Sequence, residues 1–272
     1  MPISIPTVFI FCALPCEAKL LIRNWKLNQR TSGPFSIYEH PDSSQAVIVT
    51  GLGKNAMAGA LGYTMALFGN PQLPILLNFG IAGHPYHPVG SAVLADKIMD
   101  EETQKVFYPS LPFSPSCASS MLTTRTRPET TYTKESLFDM EGSAFYDIAS
   151  KFSSSELIHC LKVISDNCQT PISHINEMTT TEYCGNHIPT LERLIDKLQR
   201  LKNSLPSVLL DEFAAITANF HFSATNSAKL KKLLLRWQVL HQEPLAWQNA
   251  DCCNSKALLS WIENQLEEDF HL

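Results

Sequence analysis

Along the first 165 or so residues, uninterrupted apolar runs alternate with amphipathic stretches, a pattern that predicts strands interleaved with helices. Residues 7–13, TVFIFCA, read as a strand covered on both faces, because β-branched and aromatic residues follow one another with no polar side. A short helix is predicted over 17–25, with Leu20, Leu21 and Trp25 facing inward. Residues 35–39 and 46–50 predict a hairpin joined through the turn-forming HPDSS at 40–44. A helix follows GLGKN at 51–55 and covers about 56–68, where Gly59 and Gly62 predict close packing against the sheet. Further strands are predicted at 74–81, 90–99, 105–108 and 120–124, with Pro-, Ser-, Thr- and Arg-rich loops at 109–118 and 125–134. The segment 136–152 reads as the end of a strand, a turn at Glu141, and a helix with Ala144, Phe145, Ile148, Ala149 and Phe152 on one face. Residues 158–165 read as a further strand, ending just before Asp166.

Beyond Asp166 the texture changes. Residues 167–186 are polar and predict irregular structure, whereas 189–201 carry Leu191, Leu194, Ile195, Leu198 and Leu201 on one helical face. Three more helices are predicted near 207–220, 227–240 and 256–268. The middle one starts at Thr225 or Asn226, turns Leu230, Leu233, Leu234 and Trp237 inward, and leaves Lys229, Lys231, Lys232 and Arg236 as a solvated face. The whole reads as an α/β layered core with a mostly parallel or mixed sheet, followed by a helical extension from about residue 205.

Composition narrows the classes. A formal charge of −5 over 272 residues gives no electrostatic reason to expect nucleic acid. The eight cysteines show no CxxC pairing and no zinc-like cadence, and several lie in apolar strands, which fits a reduced, cytoplasmic setting. The apolar stretch near the amino terminus has the length of a signal core but no basic segment before it, so it is read as the first strand. No stretch reaches the roughly 18 apolar residues of a membrane span.

Three acids occupy one kind of position: Glu17 after the first strand, Glu141 at the turn of the central strand–helix unit, and Asp166 after the strand at 158–165. Glu141 taken alone reads equally as the start of a helix, where a carboxylate suits the dipole. Ligands of open α/β sheets bind beyond the carboxyl ends of strands, so three acids there point to a site. Other motifs carry less. HPYH at 84–87 lacks a carboxylate at metal-ligand spacing, GLGK lacks phosphate-loop spacing, and EGS at 141–143 lacks the frame of a serine nucleophile. Cys252 and Cys253 are adjacent, a poor geometry for a disulfide. No metal and no cofactor are called for.

The series ALPCEAKLL at 13–21, TGLGKNAMAGALG at 50–62, LNFGIAG at 77–83, GSAVLAD at 90–96, DMEGSAFYDIA at 139–149 and VISDN at 163–167 resembles the nucleoside phosphorylase/nucleosidase superfamily. The resemblance is to its methylthioadenosine/S-adenosylhomocysteine nucleosidase branch, and it covers about the first 200 residues. It implies a three-layer α/β/α sandwich with a mixed central sheet over 1–204, the helical extension at 205–272 lying outside it, and commonly a homodimer. It further implies that Asp166, oriented by Ser165, protonates a leaving 6-aminopurine, that Glu17 activates water, and that Glu141 grips the ribose hydroxyls beside the developing cation. Met140 would pack on the sugar, and Ala82 and Gly83 would let backbone approach base and ribose.

The expected activity is hydrolysis of an adenosine-type, 5′-modified nucleoside to adenine and a ribose derivative. A purine nucleoside phosphorylase is the alternative, and a non-catalytic nucleoside-binding or assembly protein a second one. Against a phosphorylase stand the missing early glycine loop with its Arg, and Ile81 where a phosphate-binding hydroxyl is expected. Ile81 also replaces a Ser of many nucleosidases. Residues 110–135 are shorter than the relatives' base-stacking segment, leaving Arg125 or Arg127 to stand in for the aromatic. The helical extension is read either as a cover over the site or as an assembly surface.

Overall fold

The computed structural model describes residues 6–30, 33–40, 44–204, 207–241 and 243–268. The chain divides into two compact units, Met1–Arg200 and Leu201–Leu272. Elements of the first begin with β1 (Val8–Cys12), α1 (Pro15–Asn24), β2 (Asn28–Gln29), β3 (Ser36–Glu39), β4 (Gln45–Val49) and α2 (Lys54–Leu67). They continue with β5 (Ile75–Gly83), β6 (Ala92–Asp100), β7 (Val106–Phe107), β8 (Ala118–Thr124), β9 (Leu137–Asp139), α3 (Gly142–Ala149), β10 (Ile158–Asp166), α4 (Glu177–Asn186) and α5 (Ile188–Ser204), the last of which runs across the boundary.

The predicted apolar runs are the centre of one mixed sheet. β4, β1, β5 and β10 lie side by side and parallel, with Phe9 opposite Ala46 and Leu76. From β10 the sheet goes on antiparallel to β6, then parallel to β8 and β9, and β9 returns antiparallel to β5 through Gly83 and Phe138. The strands β5, β10, β6, β8 and β9 therefore close a ring, and β1, β4, β3 and β2 extend from it as an open arm. β3 and β4 pair antiparallel as the hairpin requires, although residues 41–43 of its turn lie outside the described residues.

Alternation across β1 sends Phe9 and Phe11 into a core shared with Met57, Leu61 and Met65 of α2 and Phe145 of α3. The rings of Phe11 and Phe145 meet at 5.8 Å and those of Phe9 and Phe68 at 5.3 Å, good for about 0.5–1.5 kcal/mol per pair beyond burial. Helices α2 and α3 pack on each other, as do α1 and α4, giving helix layers around the sheet. Gly59 is in ordinary contact with Phe35, but open space surrounds a Cβ built on Gly62, so close packing does not account for that glycine.

The stretch 167–186, expected to be irregular, contains α4. Asn176 caps it by accepting the Met178 and Thr179 N–H groups at 3.0 Å, and Thr179 Oγ1 in turn accepts from Asn176 N–H. Only Thr180 and Cys184 of this helix are buried, so it carries no apolar stripe for periodicity to detect.

The second unit contains α6 (Ser207–Asn219), α7 (Ala224–Leu240) and α8 (Ser255–Glu268). Leu230, Leu233 and Leu234 of α7 share a small core with Leu258, Ile262 and Leu266 of α8. Ser223 caps α7, two residues before the expected start. Lys229 is ion-paired with Glu263 at 2.8 Å and Lys231 lies over the Phe213 ring, so the basic face is partly engaged. All eight cysteines are free thiols. Among the described residues no helix is long and apolar enough to cross a membrane.

Candidate active site

A cavity of about 340 Å³ opens at the carboxyl ends of β1, β5 and β10. Glu17, Glu141 and Asp166 all line it, and so do Met140, Ala82, Gly83 and Ser165. The seven residues singled out in the sequence thus share one wall system, each held there by a local feature.

Glu17 sits in the first turn of α1, where Pro15 pre-sets the helical φ and an acid suits the positive end of the helix. Its Oε2 accepts the Leu14 N–H at 2.8 Å, and its Oε1 accepts the Ile81 N–H at 2.8 Å. Gly80 makes room for this: a Cβ there would lie 2.5 Å from Glu17 Oε1. Burial raises the Glu17 pKa, against the backbone N–H groups and the charge of Lys162, which lower it.

Glu141 is the residue before α3, yet its side chain caps a different helix. Its Oε1 accepts from Gly53 N–H at 2.7 Å, at the entry to α2. Gly53 has φ +91°, a left-handed conformation that glycine adopts without a Cβ penalty. Burial, and next the charge of Asp139, push the Glu141 carboxyl up to about 7, while Lys162 pulls the other way.

Asp166 ends β10 at a bulge, where the pairing with β5 slips between Ile164–Ala82 and Asp166–Gly83. An extra residue in one strand re-aims side chains, and here it brings both Ser165 and Asp166 to the cavity. Ser165 Oγ donates to Asp166 Oδ1.

Several features of the site were not anticipated. Lys162 lies inside β10 and is 1% exposed, with its Nζ 2.8 Å from Asp139 Oδ2. Asp139 also accepts from Thr124 Oγ1 at 2.7 Å and from Gly142 N–H at 2.9 Å. Burial alone would lower the Lys162 pKa, but Asp139 and its neighbours outweigh that and raise it, so the lysine keeps its charge under the site floor. A lysine flanked by the apolar pairs Cys160–Leu161 and Val163–Ile164 was the available signal.

The aromatics of the cavity are Tyr132 and Phe138, whose rings meet edge-on at 5.9 Å. Neither Arg125 nor Arg127 takes an aromatic's place. Arg125 is bound to Glu101 at 2.6 Å and to Glu129, and Arg127 does not line the cavity. Tyr132 donates its hydroxyl to Asp166 Oδ2. Glu129, also at the cavity, is held down to about 2: burial would raise it, but the Thr131 and Thr130 N–H groups and Arg125 prevail.

Other motifs have structural partners. Lys54 of GLGK joins Asp100 at 2.8 Å and Glu102 at 3.0 Å, and the His84 Nδ1 accepts the Tyr86 and His87 N–H groups. Among the described residues no group of three or more His, Cys, Asp or Glu side chains is arranged to hold a metal ion.

The fold is similar to that of solved structures of 5′-methylthioadenosine and 5′-methylthioadenosine/S-adenosylhomocysteine nucleosidases. No protein-family profile and no curated protein matches the sequence, so the likeness is one of structure. The apo 5′-methylthioadenosine nucleosidase of Arabidopsis thaliana superposes with a TM-score of 0.59 at 16% identity, covering 72% of this chain and 96% of that one. The 5′-methylthioadenosine/S-adenosylhomocysteine nucleosidase of Helicobacter pylori gives 0.56 at 13% identity, covering 71% and 99%. The futalosine hydrolase of the same bacterium gives 0.53 at 14% identity, covering 71% and 98%.

Proposed function

We propose that the protein is a purine nucleosidase that hydrolyses the N-glycosidic bond of an adenosine-type, 5′-modified nucleoside, releasing adenine and a ribose derivative. One observation carries the reading: three carboxylates from three separate elements line a single cavity of nucleoside size at the strand ends. The solved structures of the same fold add to it, since their proteins are named as nucleosidases and a hydrolase.

In the proposed reaction, Asp166 acts as the general acid that delivers a proton to the imidazole ring of the base while the C1′–N9 electron pair leaves with adenine. Glu17 takes a proton from the water that attacks C1′, a task suited to a carboxylate whose proton affinity burial has raised. Ionised Glu141 binds the ribose hydroxyls and stabilises the cationic sugar without reorganising. Met140 packs on the sugar, Ala82 and Gly83 bring backbone close, and Ser165 keeps Asp166 in place. Atoms balance as nucleoside plus water giving base plus sugar, with both acids resetting through solvent.

Water is favoured over phosphate because the described residues that line the cavity include neither Lys nor Arg, and because Ile81 offers only its backbone N–H, to Glu17. We assign this chemistry to residues 1–204, treat 205–272 as a helical extension, and place the enzyme in the cytoplasm as a homodimer.

Purified protein incubated with methylthioadenosine, S-adenosylhomocysteine or 5′-deoxyadenosine, with and without phosphate, is expected to release adenine in both conditions. Glu17→Gln is expected to slow release at least about a hundredfold. A strict phosphate requirement overturns the hydrolase in favour of a phosphorylase, and binding without base release favours a non-catalytic protein. Size-exclusion chromatography of the full chain tests the dimer.

A further inference from the structure

We propose that Tyr132 is a built-in gate: its hydroxyl holds the place on Asp166 that the leaving base must take, and a base enters by displacing it. The proposal rests on the nucleosidase reading and adds a step to it.

Both oxygens of Asp166 are already engaged, Oδ1 by Ser165 and Oδ2 by Tyr132. The Tyr132 hydroxyl also lies directly over Gly83, so close that a Cβ on that glycine would collide with it. A base approaching Asp166 across the Gly83 backbone meets the phenol first. Tyr132 and Asp166 also line a second cavity, of about 220 Å³, beside the first. The tyrosine is thus a partition between two spaces that its rotation would join.

The segment is constructed for such a movement. Tyr132 has φ +48°, a left-handed conformation that residues with a Cβ rarely adopt, so leaving it relieves strain. On one side the chain is pinned at Glu129 by Arg125 and by the Thr130 and Thr131 N–H groups. On the other it is pinned at buried Ser136, which donates to the Met121 carbonyl at 3.0 Å. Residues 133–135 between these anchors are exposed, and Tyr132 itself is half-buried. A 6-aminopurine can displace the phenol because it offers a ring-nitrogen acceptor beside an N–H donor, two contacts to a carboxyl where the phenol makes one.

The test compares the full-length protein with Tyr132→Phe, which keeps the ring against Phe138, and with Tyr132→Ala, which removes it. Calorimetric titration with adenine is expected to show about tenfold tighter binding for Tyr132→Phe, because the competent state is no longer reduced by the internal contact. Tyr132→Ala is expected to gain at least as much. In turnover, KM is expected to fall about tenfold for Tyr132→Phe, a gain in apparent affinity that a residue merely supporting the fold would not produce. If wild-type protein releases adenine but neither variant binds adenine more tightly, the gate is overturned and the nucleosidase stands. Tighter adenine binding by the variants of a protein without hydrolysis supports the gate and overturns the hydrolase. No adenine release and no adenine binding by any form overturns both.

Discussion

Replacing Lys162 with methionine isolates the charge under the site floor. Lys162 and Asp139 have side chains 2% and 1% exposed and stand 2.8 Å apart, so the change removes a cation while leaving its carboxylate buried. Breaking such a pair from one side costs about 3–5 kcal/mol, because the remaining charge is uncompensated. With about 2–4 °C of Tm per kcal/mol for a unit of this size, the expected drop is about 6–20 °C. Thermal and urea unfolding followed by circular dichroism measure it directly. The double variant Lys162→Met/Asp139→Asn no longer buries a lone charge, and should recover more than half of the loss. The carboxamide oxygen that Asp139→Asn introduces can still accept from Thr124 or Gly142. Lys162 also lowers the Glu141 pKa, so the single variant should move the Glu141 titration upward from about 7. A loss below about 1 kcal/mol, or a double variant no more stable than the single one, refutes the reasoning.

Two further outcomes follow from the same geometry. Gly80→Ala places a methyl group 2.5 Å from Glu17 Oε1, so the carboxylate must turn away; adenine release should fall at least about a hundredfold while adenine binding changes less than threefold, and near-normal turnover counts against Glu17 as the base. Glu141, held up at about 7 from an ordinary 4.5, keeps its proton in the folded state over a range where the unfolded chain has lost it. Its contribution to stability is therefore full below about 4.5 and is lost as pH rises through about 7, while kcat/KM rises over that same limb as the carboxylate forms. A profile flat between about pH 6 and pH 8 contradicts an ionised Glu141 in the reaction.

How far the chain can be read in advance depends on what each segment buries. β1 is covered on both faces and announces itself as an unbroken apolar run, and β10, equally buried, is interrupted by His159 and Lys162 before Ser165; the ends of the two locate Glu17 and Asp166. β2 is two exposed residues and α4 buries only two, so neither leaves a periodic trace. Tyr132 sits in a loop rich in Pro, Thr and Arg, where no repeat indicates which side chain folds inward. Lys162 was hidden because its partner Asp139 lies 23 positions earlier and meets it only through the closed sheet. Glu141 was legible as an acid at a turn, whereas its contact with Gly53, 88 positions away, belongs to tertiary structure alone.

The ring of strands has a bearing on how the molecule behaves when concentrated. With five strands joined edge to edge, the free margins among the described residues are β2 and β7, two residues each, and Asn28 and Gln29 of β2 are exposed and polar. So short a template offers a strand from another molecule few ladder hydrogen bonds. Connectivity thus leaves little edge for strand addition among the described residues, and a surface substitution that lengthened β2 would create more of it.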